Sequence, residues 1–161
     1  MKIRNFCLVL FVLLIINCNN TKQLKFKKLE PMIETKANFY LLREFDPVLS
    51  IYSFDVLLYK YKANFKKEKN PVLYKEINLK NGNYFYCNLD EGYYKLTKKN
   101  DSSTEKIFYL KNNTEYFFQL YFFTKSEGIE LPQFYLREIR KEDALERLLD
   151  SGKMFQVEDK K

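Results

Sequence analysis

The spacing of short β-prone runs between positions 37 and 136 limits the folds open to this chain more than any other feature. These runs are rich in Tyr, Phe, Ile, Val and Leu, and Asn, Asp, Gly and Pro separate them. A recurrence of about ten residues is typical of an all-β sandwich, because alternating βα units would place helical stretches between the strands. We therefore expect an antiparallel sandwich of seven to eight strands with one short C-terminal helix. The predicted strands are Asn38–Glu44, Leu49–Lys60, Val72–Lys80, Asn83–Leu89, Tyr93–Lys99, Glu105–Leu110, Glu115–Phe123 and Ile129–Leu136.

The dipeptide Asn81-Gly82 joins two of these runs and predicts a β-hairpin. A two-residue type I′ turn needs positive φ at both central positions, which Asn-Gly tolerates best. The hairpin would pair the flanking strands directly, and one face of the pair would belong to the core. The register expected for that face places Leu79 opposite Tyr84 and Ile77 opposite Tyr86, with Asn78 opposite Phe85 and Glu76 opposite Cys87 on the other face.

The end of the domain combines a central strand with a helix. In Glu115–Phe123, apolar side chains occupy one face and a mixed set occupies the other, as in a strand with neighbours on both sides. From Lys141 to Asp150 the leucines follow helical spacing, and Gly152 comes just past the end. We expect this short helix to pack on the edge of the sandwich.

The N-terminal segment has the layout of a secretory signal. Lys2 and Arg4 precede an unbroken apolar run of 11 residues, Phe6–Ile16. A transmembrane helix needs about 20 apolar residues, so this run is too short for a permanent span. Small residues are missing one and three positions before any ordinary cleavage site near its end. Residues 1–17 are therefore predicted to be a signal peptide.

The four residues Ile15-Ile16-Asn17-Cys18 resemble the lipobox of bacterial lipoproteins. The resemblance implies cleavage between Asn17 and Cys18 and a diacylglyceryl group on the Cys18 thiol, with a further N-acyl chain such as palmitate. Ile15 and Asn17 depart from the commonest lipobox, and the alternative is an ordinary secretory peptide with an incidental cysteine. Asn19 is not the aspartate associated with inner-membrane retention. We expect a membrane-anchored envelope lipoprotein, in the outer membrane rather than the inner one.

The remaining chain divides into a tether, a domain and a tail. Residues 18–36 are polar and lysine-rich and are predicted to form a flexible tether; its lysines could touch anionic head groups or could simply be solvated. Residues 37–150 form the predicted domain, and residues 151–161 a flexible tail. Without the signal peptide the chain has 26 basic and 21 acidic residues, a net charge of +5. Export argues against nucleic acid as the partner of this basic chain.

The residue types present limit the chemistry open to the domain. The chain contains no His, and Cys87 is the only thiol left once Cys7 is removed and Cys18 is lipidated. The usual zinc sites, Ser-His-Asp or Cys-His catalysis and an intramolecular disulfide therefore cannot be built. We expect no enzymatic activity, metal or cofactor. The high content of Tyr and Phe is attributed to an AT-rich genome, and Cys87 to a buried strand position.

Several segments taken together resemble a bacterial domain of unknown function that is common in envelope lipoproteins. Members have a prealbumin-like or carboxypeptidase-regulatory-like β-sandwich. The resemblance spans roughly residues 37–149, and Tyr61–Asn70 departs from it as an inserted lysine-rich loop. The segments that carry it are Phe39–Arg43, Tyr52–Leu58, Leu79–Phe85, Asp90–Tyr93, Glu115–Phe118 and Leu136–Leu149.

Two functions remain open from the sequence. The first is a non-enzymatic interaction or structural module that presents loops or a sheet edge to an envelope protein or polymer. The second is a small-ligand or carbohydrate binder that uses Tyr and Phe on one sheet face, which requires a contiguous aromatic groove.

Overall fold

The computed structural model describes residues 24–68, 70–123, 133–150 and 154–157. Within these ranges the chain forms nine strands in two sheets and one helix, which confirms the predicted all-β sandwich with a short C-terminal helix. The strands are β1 Ala37–Arg43, β2 Phe54–Lys60, β3 Val72–Leu79, β4 Asn83–Leu89, β5 Gly92–Lys98, β6 Asp101–Leu110, β7 Glu115–Phe123, β8 Gln133–Ile139 and β9 Phe155–Gln156, and the helix is α1 Lys141–Asp150.

The strands are arranged in a five-stranded and a four-stranded sheet. The order of the first is β8-β7-β1-β4-β9, and the order of the second is β3-β2-β5-β6. Not all pairs are antiparallel, contrary to the prediction, since β1 runs parallel to β7 and β4 runs parallel to β9. The strand predicted at Ile129–Leu136 is found at Gln133–Ile139, and residues 129–132 lie outside the described residues.

The hydrophobic core lies between the two sheets. Alternate residues of β1, including Phe39 and Leu41, meet alternate residues of β2, including Val56 and Leu58. Phe118 in β7 is fully buried, and its ring lies 4.4 Å from that of Phe108 in β6. Strand β7 is central in its sheet, with β8 on one side and β1 on the other, as the alternation of its side chains predicted.

The predicted hairpin at Asn81-Gly82 is wrong. β3 and β4 belong to different sheets, so the turn is a crossover, and none of the expected cross-strand pairs forms. Of the two turn residues only Gly82 has positive φ, 68°. Positive φ at the second central residue alone is the pattern of a type II turn, whereas the predicted type I′ turn needs it at both. Phe85 therefore faces the inter-sheet core, and Tyr84 packs on the opposite face of its sheet.

The outer face of the five-stranded sheet is covered. Helix α1 packs Ala144 and Leu148 against Tyr40 and Phe117, so it lies on the sheet face rather than on the predicted edge. A second apolar cluster thus buries β1 from its other side, and all seven residues of this strand are buried.

The tether and tail predicted on either side of the domain also differ from the structure. Phe26 is buried against Tyr84, and its N–H donates to the carbonyl of Met154. The Glu30 N–H donates to the Tyr40 hydroxyl at 2.8 Å. Phe155 pairs with Asn83 to begin β9. The described residues 24–36 and 154–157 therefore pack on the domain, because Phe26, Leu29 and Met154 join the second cluster.

Candidate functional site

The residues predicted for lipidation and cleavage, Cys18 and Asn17, lie outside the described residues. The first described residue is Leu24, whose carbonyl accepts a hydrogen bond from the Gln156 N–H. Gln156 pairs with Tyr84, the second residue of β4. Leu24 therefore lies at the outer edge of the five-stranded sheet, near the start of β4.

The outer face of the four-stranded sheet carries two rows of apolar side chains. Tyr93 lies directly opposite Tyr109, and the Tyr61 N–H donates to the Tyr93 carbonyl, so three tyrosines share one row. The second row crosses all four strands: Leu73, Tyr59, Lys95 and Ile107. Tyr109 is 39% exposed and Leu73 is 48% exposed. We call these two rows the open face.

The rings of the open face contact one another at steep angles. The Tyr93 and Tyr109 centroids are 4.8 Å apart with the ring planes at 60°. Phe65 lies 5.2 Å from Tyr93 at 59°. Such tilted geometry is favourable between aromatic quadrupoles, so the rings brace one another. The result is a contiguous aromatic surface without a flat stacked platform.

Charged groups lie within and around the open face. The Lys95 ammonium lies 5.0 Å from the Tyr59 ring centroid and 3.2 Å from a Glu105 carboxylate oxygen. The Tyr109 hydroxyl donates to Glu91 at 2.7 Å. This hydrogen bond lowers the pKa of Glu91 and raises the pKa of Tyr109. Both groups therefore keep their ordinary charge states at neutral pH, and the tyrosine is held in place at the edge of the sheet.

The lysine-rich segment Tyr61–Asn70, predicted as an inserted loop, contributes Phe65 to the same surface. Tyr61 is buried, and its ring contacts Phe65 edge to face at 6.4 Å. The Glu68 carboxylate accepts hydrogen bonds from the N–H groups of Lys62 and Ala63 at 2.7 and 3.1 Å. These contacts fold the loop back over the sheet.

Arg43 is fully buried at the end of β1. One terminal nitrogen donates to the carbonyls of Tyr52 and Leu79 at 2.7 and 2.8 Å, and the other donates to the Leu49 carbonyl at 2.9 Å. Its guanidinium carbon lies 4.4 Å from the Phe54 ring centroid. Burial lowers the pKa of Arg43 to about 10, so the group remains charged at neutral pH. Its role is to hold the loop between β1 and β2.

The described residues contain no cluster of three or more His, Cys, Asp or Glu side chains placed to hold a metal ion. Burial raises the pKa of Cys87 to about 12, so this thiol stays protonated and packs against the core. In the same part of the chain, no helix is long and apolar enough to cross a bilayer.

The sequence analysis kept an aromatic sheet face as its alternative function but named no residues for it, because it attributed the tyrosines to composition. The positions of these tyrosines in their strands could have identified the face. Tyr59 and Tyr61 alternate with the core residues Leu58 and Val56 along β2, so they must point away from the core. Tyr93 likewise comes directly before the core residue Tyr94 in β5, so its side chain also points away from the core.

Comparison with known protein families, with curated proteins and with solved structures found no match in any of the three. The resemblance of residues 37–149 to an envelope-lipoprotein domain therefore stays a prediction that rests on the segments quoted for it.

Proposed function

We propose that this protein is a non-enzymatic envelope lipoprotein, anchored to the outer membrane through lipid on Cys18, whose sandwich binds an envelope protein through the open face. One observation carries the binding part of the proposal. The outer face of one sheet is covered by α1 and the N-terminal segment, whereas the outer face of the other sheet leaves braced tyrosines accessible.

The composition of the open face supports a protein partner. Protein interfaces are enriched in tyrosine at their centres and have polar rims. Here Tyr59, Tyr93 and Tyr109 supply the tyrosines, and the ion pairs Lys95–Glu105 and Lys99–Glu76 lie among and beside them on the same sheet. Since the rings already brace one another, little side-chain entropy is lost when a partner covers them.

Carbohydrate binding is the second candidate, and the contiguous aromatic row favours it over other small-ligand functions. A sugar ring stacks best on an exposed flat aromatic face. The planes of Tyr93 and Tyr109 meet at 60°, so the pair offers no shared platform for consecutive sugar units. The geometry therefore supports the protein partner more strongly.

Photo-crosslinking tests the open face. A benzophenone amino acid at Ile107 is expected to capture a protein partner in intact cells, because this residue is 36% exposed within the apolar rows. The matched control is Tyr135 on β8 of the other sheet, which is 41% exposed. Crosslinks of equal strength from both positions, or from Tyr135 alone, would contradict the proposal. Retention of an envelope polysaccharide that depends on Tyr109 would favour the second candidate.

The anchor is tested by the Cys18→Ala variant. We expect the native protein to fractionate with membranes and the variant to become soluble, because one myristoyl-like chain binds only marginally whereas two or three acyl chains hold a protein firmly. Mass spectrometry of the membrane-extracted protein should find acyl chains on Cys18. An unmodified cysteine, or a variant still firmly bound to membranes, would show that the anchor proposal is wrong.

A further inference from the structure

The three most exposed large apolar side chains of the described residues lie in two segments at the same end of the sandwich. Ile51 is 84% exposed and Val48 is 79% exposed, and both belong to the loop between β1 and β2. Leu24, where the described chain begins, is 66% exposed. Tyr52 adds a further 53% exposed ring to the loop. We call residues 45–52 the apolar loop.

The apolar loop is held in a defined conformation. Arg43 donates to the carbonyls of Leu49 and Tyr52, at the back of the loop. The Asp46 carboxylate accepts hydrogen bonds from the N–H groups of Val48 and Leu49 at 2.7 and 3.2 Å. The Asn81 side chain accepts from the Asp46 N–H and donates to its carbonyl. The apolar side chains are therefore displayed on a built scaffold, so docking them needs little ordering.

The apolar loop and Leu24 lie at the same end of the sandwich. Arg43, which precedes the loop, pairs with Asn83 at the start of β4. Asn83 also pairs with Phe155, which bridges to Lys25. Leu24 lies at the level of Tyr84, one residue further along β4. Leu24 is thus level with a residue one position from the end of β4 that is near the loop and five positions from the opposite end of this strand.

The distance to the proposed anchor is short. Leu24 lies six positions after Cys18 in the chain. A fully extended chain spans at most about 3.6 Å per residue, which limits this segment to about 22 Å. A domain on such a tether must stay beside the bilayer, with the end near Leu24 closest to it.

Exposed lysines accompany the apolar side chains at this end. Lys25, Lys27 and Lys28 flank Phe26, and Lys80 precedes the turn that contacts the loop. The one carboxylate within the loop, Asp46, accepts hydrogen bonds from the loop's own backbone. Apolar side chains beside lysines are the combination that binds anionic membrane surfaces, and tyrosine favours the bilayer interface.

We propose that the apolar loop inserts Val48, Ile51 and Tyr52 into the head-group region of the membrane that holds the lipid anchor. This inference rests on the proposed anchor at Cys18. It gives the domain a second point of contact and a fixed orientation. Tyr93 and Tyr109 lie at the opposite end of the four-stranded sheet, so the orientation leaves this pair of rings on the side away from the membrane.

The absence of tryptophan from the chain allows a direct test. The full lipidated protein, as an Ile51→Trp variant, is reconstituted in vesicles of phosphatidylethanolamine and phosphatidylglycerol that contain brominated acyl chains. The control is Tyr74→Trp, since Tyr74 is 47% exposed and lies on β3 toward the opposite end. We expect a blue-shifted emission and bromine quenching about twofold or more greater for Ile51→Trp than for Tyr74→Trp.

The possible outcomes distinguish failure of the loop proposal from failure of the anchor proposal. If none of the lipidated variants floats with vesicles, the anchor proposal has failed. If they float but the Ile51→Trp emission is no more quenched than that of Tyr74→Trp, the loop proposal is overturned and the anchor stands. A crosslink from position 51 to a protein, without bromine quenching, would assign the apolar loop to a protein partner and would also overturn insertion.

Discussion

Replacing Arg43 with methionine is expected to lower the free energy of unfolding by about 3–5 kcal/mol, because several buried carbonyls lose their donor at once. Methionine keeps most of the packing volume but cannot donate a hydrogen bond. The carbonyls of Leu49, Tyr52 and Leu79 then lose the guanidinium that joins them. The loss of stability therefore has two sources: carbonyl groups that are left without a donor, and a loop that Arg43 no longer holds.

Urea denaturation of the unlipidated Cys18→Ala chain measures this effect. Arg140→Met is the matched control, because Arg140 has a 78% exposed side chain that pairs with Asp143 at the surface, and its loss should change stability by less than about 1 kcal/mol. Arg43→Lys should fall between the two, since an ammonium keeps the charge but lacks the planar fork that reaches separate carbonyls. A loss of less than about 1 kcal/mol in Arg43→Met would mean that the loop does not depend on the buried arginine.

Replacing Phe118 with alanine is expected to cost about 3–5 kcal/mol, through lost apolar burial and the cavity that remains. Phe118 is fully buried at the centre of the sandwich, with its ring 4.4 Å from Phe108 and 5.5 Å from Phe39. These contacts join β7 and β1 of one sheet to β6 of the other. The loss should therefore appear as lower stability of the whole domain.

The midpoint of the same denaturation curve measures the loss. Phe118→Leu should cost less than the alanine variant, because leucine refills part of the cavity. Val48→Ala is the exposed control, since this side chain is 79% exposed and its truncation should change stability by no more than about 0.5 kcal/mol. If the alanine and leucine variants at position 118 cost the same, cavity formation would not be the cause.

The turn at Asn81-Gly82 illustrates why a correctly located turn predicted the wrong connection. The dipeptide marks a reversal, and the reversal occurs. Its type depends on a distant partner, because the Asn81 side chain is held by the backbone of Asp46 at 2.8 and 2.9 Å, and Asn81 does not adopt positive φ. Local propensity cannot include a contact made across 35 residues of chain.

Phe26 is a second residue whose environment local sequence could not predict. It lies in the segment that was predicted to be a tether. One aromatic residue among lysines carries no periodic signal, and polar composition is the ordinary mark of a linker. The residue is buried because α1, β4 and Met154 together leave a site that it fills. That site exists only after the sheet and the helix have packed.

The open face could be predicted only in part from the sequence, because its exposure depends on how the other elements pack. Alternation along β2 and β5 places Tyr59 and Tyr93 away from the core. Whether an outward face is covered depends on where the helix docks. Helix α1 could be recognised from its leucine spacing, but its choice of the five-stranded sheet, which leaves the other sheet uncovered, is a property of the assembled sandwich.

The sequence by itself determined the fold class, most strand positions to within a few residues and the inward face of β7, because alternation is a local property of the extended chain. It assigned the wrong face of β4 to the core, since Phe85 and not Tyr84 lies between the sheets. Tertiary structure alone decided that β1 lies between β4 and β7 and that β3 and β4 enter different sheets. Every strand offers the same backbone donors and acceptors, so hydrogen bonding does not select partners. The selection comes from side chains such as Phe39, Phe118 and Arg43, which meet only when both sheets are in place.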